Sequence, residues 1–344
     1  MATTLSPPKT DTPARRKAQL WRERPALSIA VRLVAAVIPI AASVLITYVA
    51  TRILPRPRPF DAALIWWATM LGLATVVVFA IERLTRRLAP LAALLKLSLV
   101  FPDRAPSRFS VALRSGTVRQ LQDRYEAVKR DGLGATPAEA ARKVVELVAA
   151  LNAHDRLTRG HCERVRAYTA LIAEELKLPA EEIEKLRWAG LLHDLGKLEV
   201  PTGILNKKGA LDDHEWELIK THPMAGARIA APLAGWLGDA FRAIAEHHER
   251  WDGAGYPSGL AGEDIALSAR IVSVADAFDV MTAARSYKRP HAPSWARAEL
   301  VRGAGSQFDP VVVRAFLNVS LGRLRWTIGP LSWLAQLPLL AQAP

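Results

Sequence analysis

Leu191-Leu192-His193-Asp194-Leu195-Gly196-Lys197 sets a histidine and an aspartate side by side at the end of an apolar helical pattern. Burying the two together costs several kcal/mol unless each finds a partner. For a lone pair, a capping aspartate beside a core histidine is the ordinary explanation. A divalent metal is the other. Imidazole and carboxylate suit zinc, iron, nickel or manganese, and one carboxylate can bridge two cations. Gly196 is expected to end the helix in the left-handed conformation, which leaves Lys197 close to whatever the metals hold.

The remaining histidines decide between these explanations, because there are only eight in 344 residues. His161 falls on one helical pattern and His222 sits in Thr221-His222-Pro223. His247-His248-Glu249 precedes Trp251-Asp252-Gly253-Ala254-Gly255-Tyr256-Pro257. Asp276 interrupts the apolar run Ile271-Val272-Ser273-Val274-Ala275-Asp276-Ala277-Phe278-Asp279, where an unpaired charge would be costly. Each has a plain explanation alone: a surface histidine, a helix start, a salt bridge to arginine. Together they form a candidate ligand set, although spacing does not say which residue serves which ion.

Composition restricts the setting. Cys162 is the single cysteine, so neither an internal disulfide nor a cysteine-rich zinc site is available. The net charge of +13 is lopsided: residues 1–135 hold 21 Lys and Arg against 8 Asp and Glu, whereas residues 136–344 hold 25 against 25. The basic excess flanks two uncharged stretches, 33–50 and 62–81, each near the roughly 20 residues that cross a bilayer. That placement points to an anionic membrane face and argues against a nucleic-acid polymer as partner. A cleaved signal peptide fits poorly, because the first apolar core is long and a second span follows. Pro39 is tolerable inside a membrane helix. Positive charge is heavier before the first span and after the second than in the short Pro-rich connector, which predicts a multi-pass hairpin with both ends in the cytoplasm.

The expected organisation is all-α. It comprises a basic tail at 1–27, a two-span hairpin at 28–82, a juxtamembrane segment and linker helix at 83–135, a helical domain at 136–320 and an apolar tail at 321–344. Residues 1–26 read as a flexible tail, and Leu88–Val100 as either an interfacial or an ordinary connecting helix. The charged segment 117–134 is a candidate dimerising helix, and Trp326 to Leu340 reads as a surface-lying segment rather than a third crossing. Helical patterns follow at Pro137–Ala153 (Val144, Leu147, Val148 and Leu151 on one face), Thr158–Leu176, Ala180–Leu195, 213–221, 223–234, 237–248, 268–284, 294–303 and 310–318.

From Val144 to Leu317 the chain resembles the HD-GYP family of the HD metal-dependent phosphohydrolases. The resemblance rests on His161-Cys162-Glu163-Arg164-Val165, His193-Asp194-Leu195-Gly196-Lys197, Pro201 to Leu205 and His222-Pro223-Met224-Ala225-Gly226. It continues through His247-His248-Glu249-Arg250-Trp251-Asp252-Gly253, Gly255-Tyr256-Pro257, Ala269-Arg270-Ile271, Asp276-Ala277-Phe278-Asp279, Arg285-Ser286-Tyr287-Lys288 and Gln307-Phe308-Asp309-Pro310. It implies hydrolysis of cyclic di-GMP, or a related cyclic dinucleotide, and with the apolar hairpin the expectation is a bacterial inner-membrane protein whose catalytic domain lies in the cytoplasm. It also implies two ligand sets: His161, His193, Asp194 and Asp276 for one cation, and Asp194, His222, His247 and His248 for the other. Two such cations can bind phosphate oxygens and activate water. By the same resemblance Asp194 and Lys197 are catalytic, Lys197 touching the scissile phosphate. Arg285, Lys288, Asp279, Gly255, Tyr256 and Pro257 fall with the substrate-contacting positions.

Three departures matter. Where family members with a third metal carry glutamate stands Leu157, so two divalent ions are expected, their identity open between iron, manganese and other transition metals. Ser286 replaces the usual proline between Arg285 and Tyr287, and Cys162 replaces a common serine as a small packing residue. Two other functions compete with cyclic di-GMP hydrolysis: hydrolysis of another nucleotide or phosphate ester, and a membrane-tethered receptor that binds the nucleotide and signals to a partner protein.

Overall fold

The computed structural model describes residues 20–53, 60–85, 91, 94–95, 99–102, 105–115, 126–128, 130, 132–134, 136–154, 160–207, 209–283, 290–320 and 322–323. The expectations for Leu157, for Arg285, Ser286 and Lys288, for most of the linker and for the C-terminal apolar segment lie outside these residues.

After the short strand β1 (Leu20–Trp21) come two long apolar helices, α1 (Pro25–Ile53) and α2 (Phe60–Thr85). Their 29 and 26 residues exceed the roughly 20 a bilayer needs, and Pro39 lies inside α1 without ending it. They pack on each other, with the Ser43 hydroxyl donating to the Ala74 carbonyl at 3.3 Å. Their outer faces leave Val44, Leu45, Phe79 and Val76 mostly exposed. So much contiguous apolar surface is unstable in water.

Residues 20–24 depart from the expected flexible tail. β1 pairs antiparallel with β2 (Leu99–Val100), Leu20 opposite Val100 and Trp21 opposite Leu99. Residues 99–100 are therefore strand where both expectations for Leu88–Val100 were helix. The reason is packing: Leu94, Leu99 and Phe101 are buried with Trp21 in the core of the helical region. Trp21, Phe101, Trp188 and Trp236 form an edge-on aromatic series with centroids 4.9, 5.4 and 5.4 Å apart. Trp188 Nε1 donates to the Val100 carbonyl at 2.6 Å, and Trp21 Nε1 to that of Pro106 at 2.8 Å. Such aromatic pairs contribute about 0.5–1.5 kcal/mol each beyond area burial. The segments flanking the apolar hairpin thus clasp the helical region.

That region continues through α3 (Arg108–Ser115), α4 (Pro137–His154), α5 (His161–Glu175), α6 (Ala180–Leu192), a 3₁₀ turn at Leu195–Glu199 and α7 (Thr202–Leu205). Next come α8 (Asp213–Lys220), α9 (His222–Ala230), α10 (Ala234–Leu237), α11 (Arg242–Glu246), α12 (Leu267–Thr282), α13 (Pro293–Arg302) and α14 (Pro310–Asn318). Val144, Leu147 and Val148 of α4 are buried, as their spacing predicts, and Val145 joins them. Two apolar cores result. One gathers α4, Trp188, Leu191 and Leu192 with Ile229 and Ile244. The other gathers Tyr168 and Ile172 of α5 with α12, α13 and α14. α5 and α6 contribute to both cores, and most of the polar residues singled out above lie at helix ends, with Asp276 inside α12.

Candidate metal centre

Helix boundaries position the histidines and Asp194, whereas Asp276 projects from the middle of α12. Gly160 takes φ 75°, a left-handed turn that L side chains rarely adopt, and lets α5 begin at His161. His193 and Asp194 follow the last turn of α6, Pro223 near the start of α9 places His222, and His247 follows α11. Gly196 does not adopt the expected left-handed conformation. It lies in the 3₁₀ turn, and its constraint is contact: a Cβ there would sit 2.8 Å from the His222 carbonyl carbon and closer still to its oxygen. Only glycine lets the His-Asp turn approach the start of α9 so closely.

The imidazoles are held by their Nδ1 atoms. Nδ1–H of His193 donates to Gly190 O at 3.0 Å, that of His222 to Ile219 O at 2.6 Å, and that of His247 to Ala243 O and Ile244 O, both at 3.2 Å. A carbonyl only accepts, so these bonds set the tautomer and leave each Nε2 without a proton. The Nε2 atoms converge on Asp194. His161 and His193 Nε2 lie 3.4 and 3.5 Å from its Oδ2, and His222 Nε2 lies 3.5 Å from its Oδ1. His161 Nε2 is also 3.2 Å from Asp276 Oδ1. The Nε2 atoms of His222 and His247 face each other at 3.3 Å, two lone pairs with no proton between them. His193 Nε2 is buried and makes no hydrogen bond. Such an arrangement repels itself unless a cation shares the lone pairs.

Ligand atoms within 4.8 Å of one another occur in three overlapping groups: His161, His193 and Asp276; His193, Asp194 and His247; and His222, His247 and His248. All seven expected metal ligands are therefore brought together, with His193 and Asp194 between the two ends.

Burial disfavours charge at this site. It pushes His222 down to about 3 and His248 to about 4, and it lowers His193 and His247 as well, so these four are neutral near neutral pH. Burial alone would raise Asp194, yet Lys197 and His193 hold its carboxyl well below the usual range. Asp276 is likewise lowered, against burial, chiefly by its hydrogen bond with His161. His161 rises despite burial because it faces Asp194, Asp276 and Asp279. Four neutral imidazoles beside ionised carboxylates are the protonation states a divalent metal requires, and His161 would give up a proton to join them.

The family model described as "HD domain" matches residues 146–312. Three curated relatives are similar to half or more of this chain. A cyclic di-GMP phosphodiesterase of Vibrio cholerae is 40% identical over 190 residues, 51% of this chain and 39% of that protein. A 3'3'-cGAMP-specific phosphodiesterase 2 of the same species is 39% identical over 176 residues, 51% of this chain and 34% of that protein. The cyclic di-GMP phosphodiesterase response regulator RpfG of Xanthomonas campestris is 37% identical over 216 residues, 60% of this chain and 57% of that protein. The matched part of this chain thus covers between about a third and three fifths of these relatives' lengths.

Within this matched region, Lys197 Nζ donates to Asp194 Oδ2 at 2.7 Å, which sets its ammonium against the His/Asp cluster. Asp279 does not occupy the substrate-contacting place expected for it. Its carboxylate is buried, accepts Nδ1–H of His161 at 2.7 Å, and takes Nε and Nη2 of Arg164 at 2.6 and 2.9 Å. An aspartate so engaged orients a histidine and has no free face for a ligand. Arg164, three residues after His161, is a supporting residue that sequence reasoning left without a role. Glu249 is a second. It is buried, and its carboxylate accepts the backbone N–H of Ser258 at 2.6 Å and of Leu260 at 3.1 Å, pinning the loop that carries Gly255-Tyr256-Pro257. The Tyr256 ring then stacks on His248, centroids 4.8 Å apart and planes 22° apart. At Gly255 a Cβ would lie 2.6 Å from the Glu249 Cα, so this glycine serves close approach. A carboxylate directly after a His-His pair was the available signal for Glu249.

Proposed function

We propose that this chain is a membrane-anchored, metal-dependent phosphodiesterase of the HD-GYP type that hydrolyses cyclic di-GMP. The observation that carries the reading is the convergence of buried, proton-free Nε2 atoms on the Asp194 carboxylate, with His193 Nε2 unsatisfied. His161, His193, Asp194 and Asp276 would hold one divalent ion and Asp194, His222, His247 and His248 a second, the pair supplying phosphate-oxygen neutralisation and water activation when bound. Lys197 adds a positive charge on the phosphate side, and Arg285 and Lys288 belong to the substrate's phosphate contacts. The relatives' names support a cyclic dinucleotide as substrate, and the 3'3'-cGAMP-specific relative favours a second reading with that dinucleotide in place of cyclic di-GMP.

The two apolar helices, long enough to span and exposed along their length, support an inner-membrane anchor in a bacterium. The clasp of residues 20–24 and 99–101 on the HD domain puts both flanks of the hairpin on the catalytic side, which agrees with the positive-inside orientation. Dimerisation through 117–134 and a separate signalling partner complete the proposal.

The test is anaerobic turnover by the full chain in lipid nanodiscs with Mn²⁺ or Fe²⁺, cyclic di-GMP, 3'3'-cGAMP and a panel of other nucleotides, alongside metal analysis. About two metals per chain with cyclic di-GMP turnover is the expected result, and Asp194→Ala should abolish both. Two metals bound without turnover of either dinucleotide would overturn the substrate. An Asp194→Ala variant that kept metals and rate would overturn the bridging role.

A further inference from the structure

The surface beside the cluster carries an aromatic side chain that no role above uses. Trp216 on α8 is 46% exposed, a large apolar ring left partly in water. Its helix is firmly started: the Asp212 side chain accepts Glu215 N–H at 2.8 Å, and the Glu215 carboxylate accepts Asp212 N–H at 2.9 Å. Glu215 also pairs with Lys207. This reciprocal cap fixes the turn that presents Trp216. The indole stands edge-on to Tyr256, centroids 6.4 Å apart and planes 75° apart. Tyr256 in turn stacks on His248, whose ring is 5.0 Å from that of His222. Trp216 is therefore two rings out from the ligand cluster, on the side of His222 and His248.

We infer that Trp216, backed by Tyr256, is the platform on which a purine base of the substrate stacks. The inference rests on the phosphodiesterase reading for one element, that the cluster holds a phosphate. A nucleotide whose phosphate lies at the cluster places its base one sugar away, which is the position of an exposed indole two rings outward. Every base has a π-face, so an aromatic platform selects a nucleobase over a bare sugar phosphate without reading base edges. Tyr256 stands between the indole and the cluster, and the capping box fixes the helix turn that carries Trp216. The Glu249 clamp on residues 258 and 260 fixes Tyr256 itself.

The experiment is equilibrium binding of GMP and of ribose 5-phosphate to the full chain in nanodiscs with Mn²⁺, for the wild type, Trp216→Ala and Trp216→Phe. The two ligands share a phosphate and differ in the base. Wild type should bind GMP about 10- to 100-fold more tightly than ribose 5-phosphate, the range stacking on one aromatic ring supplies. Trp216→Ala should erase that advantage and leave ribose 5-phosphate binding unchanged, and Trp216→Phe should restore most of it. An advantage that survives Trp216→Ala overturns the platform, as does equal binding of the two ligands by wild type. Loss of ribose 5-phosphate binding in Trp216→Ala would show a structural lesion, and the platform would then fall if Trp216→Phe behaved identically. If wild type binds neither ligand, the phosphate site itself is refuted. The base advantage found without turnover of any dinucleotide refutes the proposed activity and leaves the platform standing.

Discussion

Gly196→Ala isolates how closely two backbones must approach to build the metal centre. The new Cβ would lie 2.8 Å from the His222 carbonyl carbon, nearer to its oxygen and to Gly226 N, and all three obstacles are backbone that cannot rotate aside. The 3₁₀ turn and the start of α9 must therefore separate by about an ångström. Overpacking of this kind costs about 1–3 kcal/mol and sometimes more. Gly196 does not use a positive φ, so alanine returns about 0.4–1 kcal/mol through the unfolded chain. The expected net loss is about 2 kcal/mol, roughly a 30-fold shift in the folding equilibrium. The same displacement moves His222 away from Asp194, so metal content should fall along with stability. Two comparators calibrate the measurement. Gly226→Ala meets Gly196 N and Ile244 Cγ2 at 3.1 Å and should cost less, whereas Gly235→Ala meets nothing within 4 Å and should be neutral or slightly stabilising. Urea unfolding of the full chain in detergent, followed by near-ultraviolet circular dichroism, gives all three. If Gly196→Ala unfolded at the same urea concentration as Gly235→Ala and kept its metals, the close-approach reasoning would be refuted.

Two further outcomes follow from supporting contacts. Asp279→Asn removes the charge that Arg164 and His161 share, and loss of such an orienting partner typically weakens metal affinity about 10- to 100-fold. A competitive chelator titration reads this directly, and unchanged affinity would count against the role assigned to Asp279. Cys162 is 2% exposed, and burial pushes its thiol up to about 12 from an ordinary value of 9.0. Native protein should therefore resist iodoacetamide at pH 8 and react only on unfolding; rapid stoichiometric labelling of folded protein would contradict this. Because the unfolded chain releases this proton first, the thiol's contribution to stability is intact below about pH 9 and declines as pH rises toward 12. Alkaline denaturation, compared with Cys162→Ser, measures it.

Helix periodicity and the scarcity of histidine made the all-α class and the seven candidate ligands legible in the sequence. Those residue types are too costly to bury without a common purpose, and that cost does not depend on where the chain places them. Tertiary structure decided what depends on distance. Asp279 and Asp276 stand three residues apart on α12, yet one faces the converging Nε2 atoms and the other braces His161 from behind. Gly196 read as a helix stop because sequence shows only the local conformations a glycine permits. The reason it is glycine lies 26 residues away, in the carbonyl of His222. Leu20, Trp21 and Leu99 read as tail and connector because a two-residue strand has no periodicity to detect. The burial of Trp21 and Leu99 in the core that holds Trp188 comes from pairing across about eighty residues of chain, most of it the apolar hairpin. Local sequence carries the cost of burying a group, whereas the partner that offsets it is chosen by the fold.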